Sequence, residues 1–178
     1  MKILVTGGAK NGKSTYAEDE ARRMAGELGV PLYYIATMIP HDSEDEARIA
    51  RHILSRAGKG FETVEQGRNI LEILDEGKAE NRGVFLLDST TALLSNEMFR
   101  DDGTVDVDAG KRIEGELVEF SEKVGGIVFV SDYIYSDARK FDELTESYRR
   151  SLAGIDRALA KVCDRVVEVN FGIATDWK

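Results

Sequence analysis

Cysteine occurs once, at Cys163, so no intramolecular disulfide can be built, and with only two histidines, His41 and His52, no Cys/His cage for a structural metal can assemble. Cys163 reads as a buried apolar filler. Proline is nearly as scarce. Pro31 and Pro40 flank one short apolar run and interrupt nothing. Basic charge is in deficit, with 24 Lys and Arg against 33 Asp and Glu, a net charge of -9 and a pI near 4.9. A surface of that sign does not displace counterions from nucleic acid or an anionic membrane, so neither is expected as a partner. No apolar run reaches the roughly 20 residues that span a bilayer, and Met1-Lys2-Ile3-Leu4-Val5 is too short for a signal-peptide core. No membrane-spanning segment and a cytoplasmic location are the expectations. At 178 residues and 42% hydrophobic content the chain can fill one core and is short for two, so 1–178 reads as a single domain.

Phosphate affinity must then be local, and the first fourteen residues supply it. The apolar run Ile3-Leu4-Val5 empties into Gly7-Gly8-Ala9-Lys10-Asn11-Gly12-Lys13-Ser14, a complete G-x-x-x-x-G-K-S loop. Gly7, Gly8 and Gly12 let the backbone curl with its N–H groups inward, which makes a nest for polyphosphate. Lys13 brings a mobile cation to the β- and γ-phosphates, and the Ser14 hydroxyl stands where it can ligate Mg²⁺. A helix over about 13–28 would aim the positive end of its dipole at the same anion.

Branched apolar runs recur at Ile3–Val5, Leu32–Ala36, Val84–Leu87, Ile127–Val130 and Val166–Val169. Helical patterns lie between them, at about 13–28, 43–57, 68–77, 108–123 and 138–162. This alternation predicts an α/β fold: a P-loop NTPase-like, mostly parallel sheet of five or more strands with helices on both faces. The polar stretch Arg100–Asp108 reads as an exposed loop.

Two further constellations bear on chemistry. From Asp42 to Arg56 a helix capped by Asp42 or Ser43 carries Glu44, Arg48, His52 and Arg56 at four-residue steps, hence along one face. Guanidinium groups beside an imidazole disfavour its protonation, which would leave a neutral, nucleophilic His52 between phosphate-binding arginines. Spacing alone favours a solvated face laced with Glu–Arg pairs. The run Val84-Phe85-Leu86-Leu87-Asp88 ends an apolar strand in a carboxylate, as a Walker B strand does, and Asp88 could help Ser14 hold Mg²⁺ or could simply cap a helix.

Taken together, these residues resemble the bifunctional adenosylcobinamide kinase / adenosylcobinamide-phosphate guanylyltransferase family of cobalamin biosynthesis. The loop through Ser14 and the run Tyr34-Ile35-Ala36-Thr37 are similar to that family's first two strands. The order Arg48-Ile49, His52, Arg56 matches its R-I-x-x-H-x-x-x-R pattern. Phe61-Glu62-Thr63-Val64-Glu65 looks like its W-x-T-x-E segment, with Phe61 where tryptophan is usual. Leu86-Leu87-Asp88 and Leu93-Leu94-Ser95-Asn96 resemble its third strand and the helix behind it. The second half departs: Ser131-Asp132-Tyr133-Ile134-Tyr135-Ser136 stands where an S-N-E-V-G-x-G-I-V-P stretch is usual, and Tyr148-Arg149-Arg150-Ser151 where an F-R-D pattern is.

The resemblance implies an enzyme in which Lys13 and His52 are catalytic and His52 takes up GMP. It places Ile35, Ala36, Thr37, Arg48, Arg56, Glu65 and Asp88 with the loop among the nucleotide-binding residues. Glu65 would read guanine, since a carboxylate accepts from both N1–H and the exocyclic amine. It further implies GTP and ATP as nucleotide substrates with Mg²⁺, a corrinoid acceptor and a trimeric homo-oligomer. Two other readings of the residues stay open: a P-loop kinase of another small molecule that does not use His52, and a non-catalytic nucleotide-binding regulator.

Overall fold

The computed structural model describes residues 1–40 and 42–178, apart from the side chains of Arg48, His52 and Ser55. The strands are β1 (Lys2–Gly7), β2 (Leu32–Ala36), β3 (Glu62–Glu65), β4 (Val84–Asp88), β5 (Gly126–Asp132), β6 (Arg165–Asn170) and β7 (Ile173–Asp176). The helices are α1 (Lys13–Leu28), α2 (Ser43–Arg56), α3 (Glu72–Asp75), α4 (Thr90–Met98), α5 (Ala109–Lys123) and α6 (Glu143–Val162). All strands join one seven-stranded sheet in the order β3-β2-β4-β5-β1-β6-β7, parallel except for the β6–β7 pair.

Strand alternation divides the apolar residues between two layers. Leu4, Ile35, Phe85, Leu87, Ile127 and Phe129 face the layer packed by α3, α4, α5 and α6. Ile3, Val5, Tyr34, Leu86, Val128 and Val130 face the opposite layer, where Ala17, Ala21 and Met24 of α1 cover them. Because both faces are covered, the central strands carry no polar alternation, which is why they read as continuous apolar runs. Phe85, Phe120 and Phe129 are fully buried, and burial of each contributes roughly 1.5–3 kcal/mol.

The sequence-based expectations differ from the structure in five elements. Strand β3 buries only Val64, and β7 buries none of its residues, so neither shows the apolar run that marks the other strands. Helix α4 is not predicted by periodicity, since it is only nine residues long and its apolar Leu93, Leu94 and Met98 are too few to write a helical repeat. The helix expected over 68–77 shrinks to the single turn Glu72–Asp75, and that expected from 138 begins at Glu143, where Asp142 caps it by accepting from the Thr145 N–H. Arg100–Asp108 is the surface connection between α4 and α5.

Candidate active site

The phosphate loop sits between β1 and α1 at the carboxyl edge of the sheet. Gly7 has φ +152, and a Cβ there would lie 2.3 Å from the Val169 carbonyl oxygen, so no other residue fits this approach to β6. Gly12 takes φ +91 as the N-cap of α1, which has neither a side-chain cap nor an acidic residue in its first turn. The amide donors of that turn are thereby left for an anion. Ala9 and Lys10 are exposed and Asn11 is half-buried. Lys10 takes φ +60, and the Asn11 amide donates to Asn170 Oδ1 at 3.2 Å. Ser14 is half-buried on the first turn of α1.

Lys13 is only 6% exposed, and its ammonium lies 2.7 Å from Asp132 Oδ1 while donating to the Gly8 carbonyl at 2.7 Å. Asp132 ends β5, opposite Gly7 in register, and its backbone N–H donates to Thr91 Oγ1 on α4. The sequence carries a signal for this carboxylate: Ile127-Val128-Phe129-Val130 followed by Ser131-Asp132 repeats the apolar-strand-to-acid pattern of Val84–Asp88. Strand β5 intervenes between β1 and β4. Lys13 consequently meets the acid of the neighbouring strand, and Asp88 stands one strand farther away.

Asp88 does not cap the next helix; Ser89 does, accepting from the Ala92 N–H at 3.2 Å. Instead Asp88 Oδ2 accepts from the Tyr34 hydroxyl at 3.2 Å. Burial, followed by the Asp88 charge, pushes the Tyr34 phenol well above its usual range, so it stays a donor. A face of the Tyr34 ring is covered by Arg56, whose guanidinium carbon lies 3.4 Å from the ring centroid. Arg56 is 6% exposed, and among the described residues its Nε and Nη1 have no hydrogen-bond partner. It is a desolvated cation stacked on an aromatic face rather than a member of a surface ion pair.

Ile35 is fully buried between Val64 of β3 and Leu87 of β4, so it exposes no atom to a ligand; Ala36 is half-buried at the strand end. Thr37 is also buried: its hydroxyl donates to the Ser89 carbonyl at 3.0 Å and accepts from the Ser89 N–H at 2.8 Å, tying β2 to the start of α4. Glu65 is exposed at the end of edge strand β3, paired in register with Ala36. Four strand spacings, about 19 Å, separate β3 from β1. The phosphate loop and the Ala36–Glu65 end thus occupy different stretches of one sheet edge. Helix α2 contains Arg48 and His52, whose side chains lie outside the described residues, as does His41. Asp42 caps α2 by accepting from the Glu44 and Asp45 N–H groups.

A buried carboxyl that the sequence did not disclose completes the β5 edge. Asp156 of α6 is 6% exposed and accepts from Ser131 Oγ at 3.0 Å and from the Tyr135 hydroxyl at 2.7 Å. Burial raises it to about 6 against the pull of those two donors, with the Asp132 charge adding to the rise. Arg149, also buried, ties the following segment down by donating to the carbonyls of Tyr135, Asp137 and Arg139.

A seven-stranded α/β sheet with a glycine-built nest, a buried lysine and acids at successive strand ends defines a P-loop nucleotide-dependent enzyme of the phosphorus-transfer class. The profile of the cobinamide kinase / cobinamide phosphate guanyltransferase family matches residues 3–177. The chain belongs to that family. It is 32% identical over 182 residues to the bifunctional adenosylcobalamin biosynthesis protein CobP of Pseudomonas aeruginosa, covering 100% of this chain and 98% of that one. It is 37% identical over 108 residues to the bifunctional adenosylcobalamin biosynthesis protein CobU of Escherichia coli, covering 61% and 56% respectively. Among solved structures, an ATPase domain superposes with a TM-score of 0.55 at 12% identity, covering 94% of this chain and 68% of that chain, which is a likeness of fold alone. The family match extends through the second half, where Ser131–Ser136 and Tyr148–Ser151 depart from the usual motifs.

Proposed function

We infer that this chain phosphorylates adenosylcobinamide and then transfers GMP to the phosphorylated product, using a nucleoside triphosphate in each step. The observation that carries this reading is the pairing of the Gly7–Ser14 nest with a buried Lys13 in a chain of this family. In the first reaction the acceptor hydroxyl attacks the γ-phosphorus, the bond to the β-bridging oxygen breaks, and the nucleoside diphosphate leaves. Lys13 and the loop amides carry the charge that builds on the phosphoryl oxygens.

In the second reaction an imidazole nitrogen of His52 attacks the α-phosphorus of GTP and pyrophosphate leaves. A phosphate oxygen of the cobinamide phosphate then attacks the same phosphorus, the P–N bond breaks, and His52 is restored. Two displacements replace one. Arg56, desolvated and with its Nε and Nη1 unpartnered among the described residues, supports a role in holding phosphate beside His52, with Arg48 as the second cation. Glu65 at the exposed end of β3 suits recognition of the guanine edge.

Mg²⁺ fits the donors at hand. Ser14 and Asp88 offer hard oxygens, and among the described residues no group of three or more His, Cys, Asp or Glu side chains forms a dedicated metal cage. That suits an ion that takes most of its ligands from phosphate and water. Bound there, it would neutralise charge between the β- and γ-phosphates. The chain acts as one nucleotide-binding unit and assembles as a homo-oligomer, a trimer by resemblance. Ile53 and Leu54, 51% and 73% exposed on α2, supply apolar surface for it. Among the described residues no helix is long and apolar enough to cross a membrane.

Intact-protein mass after incubation with GTP and Mg²⁺ tests the transfer half. A GMP-sized, acid-labile adduct is expected on the native chain and not on His52→Ala. Absence of the adduct from native protein that still binds GTP would overturn the guanylyltransferase reading.

A further inference from the structure

The turn between β6 and β7 presses on the phosphate loop from the side opposite Asp132. Strand β1 is flanked by β5 on one side and β6 on the other. Asn170 pairs with Ile173 across a two-residue turn whose central residues, Phe171 and Gly172, have φ +54 and +76. The Gly172 N–H donates to the Asn11 carbonyl at 3.2 Å, and the Asn170 side chain accepts from the Asn11 amide. A Cβ on Gly12 would lie 3.8 Å from the Gly172 Cα, so the turn meets the loop at Asn11 and Gly12.

Phe171 is out of place in this turn. Such two-residue hairpins need positive φ at both central positions, which Asn, Asp and Gly adopt readily and a bulky side chain does not. Packing does not account for the ring either, since Phe171 is 91% exposed. A strained, unburied aromatic residue beside a ligand loop points to a role in binding.

The direction of the nucleotide follows from Lys13. Its ammonium lies on the β5 side, against Asp132, and the lysine of this loop serves the β- and γ-phosphates. The γ-end of a bound triphosphate therefore lies toward β5. The α-phosphate and nucleoside leave toward β6, where Phe171 stands.

We propose that Phe171 is the stacking platform for the purine base of the nucleotide whose phosphates occupy the Gly7–Ser14 loop. The inference rests on the phosphate-loop reading above. A π-face accepts either purine, so this subsite holds adenine and guanine alike and adds affinity without choosing between them; the guanine that Glu65 reads belongs to a nucleotide at the β2–β3 end of the sheet, on the other side of β1.

Dissociation constants for ATP, GTP and inorganic tripolyphosphate, each with Mg²⁺, test it on the native chain, Phe171→Asn and Phe171→Tyr. Asn fits the turn without strain, so Phe171→Asn tests the ring without endangering the fold. It should weaken ATP and GTP roughly tenfold and leave tripolyphosphate unchanged, while Phe171→Tyr binds like the native chain. Unchanged nucleotide affinity in Phe171→Asn would overturn the proposal, as would equal weakening of tripolyphosphate. A change in native mass with nucleotide affinity intact would assign the ring to contact between copies instead. Native protein that takes neither nucleotide nor tripolyphosphate would bring down the phosphate-loop reading itself.

Discussion

The ammonium of Lys13 is held 2.7 Å from Asp132 Oδ1, so the cation meant for phosphate already has an anionic partner. A triphosphate must compete with that carboxylate. Partly screened pairs of this kind contribute up to about 1 kcal/mol. Asp132→Asn should therefore tighten tripolyphosphate binding by up to roughly fivefold, measured by titration calorimetry, whereas Lys13→Ala should abolish it.

Tyr34 links Asp88 to Arg56, and the two contacts can be separated. Tyr34→Phe keeps the ring beneath Arg56 and removes the hydrogen bond to Asp88. On the proposed role of Asp88 toward Mg²⁺, loss of such an outer partner weakens metal affinity by about tenfold or more. The Mg²⁺ concentration for half-maximal kinase activity should rise by that order in Tyr34→Phe, with the melting temperature little changed. Tyr34→Ala also strips the platform from a buried cation and should lower the melting temperature.

Asp156 gives the fold a pH dependence of definite sign. Its carboxyl is raised from 3.8 to about 6 by burial, so the folded state holds a proton that the unfolded chain releases. The stabilisation from that proton is fully present below pH 4 and is lost as pH rises through 6, amounting to at most about 3 kcal/mol. Asp156→Asn keeps an acceptor for Ser131 and Tyr135 and cannot ionise. Denaturant titrations from pH 4 to 7 should show the native chain losing stability relative to this variant across that window.

Burial raises the Cys163 thiol to about 12, and the residue is 1% exposed. It should be inert to thiol reagents in the folded chain and react at once in denaturant, as timed labelling with a chromogenic disulfide would show.

The central strands were legible because a sheet covered on both faces needs uninterrupted apolar residues, and Leu32–Ala36 and Val84–Leu87 announce themselves that way. The edges were not. Glu62–Glu65 and Ile173–Asp176 are strands through backbone pairing, with almost no burial to write a pattern into the side chains. The loop from Gly7 to Ser14 was readable since its chemistry dictates its spelling. Asp132, Tyr34 and Phe171 were not singled out as site residues, because each acquires its place only from strand order: Lys13 reaches β5, Tyr34 reaches β4, and the β6–β7 turn reaches Asn11. Asp156 depends on α6 folding over β5, a contact that no local spacing encodes.

Strand order also sets a timetable. The phosphate loop is spelled within the first fourteen residues, yet β1 finds its two neighbours only in Gly126–Asp132 and Arg165–Asn170. During synthesis the strand that carries the loop therefore waits, unpaired, until most of the chain has emerged. Nucleotide cannot act as an early folding aid for this chain; it can only clamp the sheet once the late strands have closed around β1.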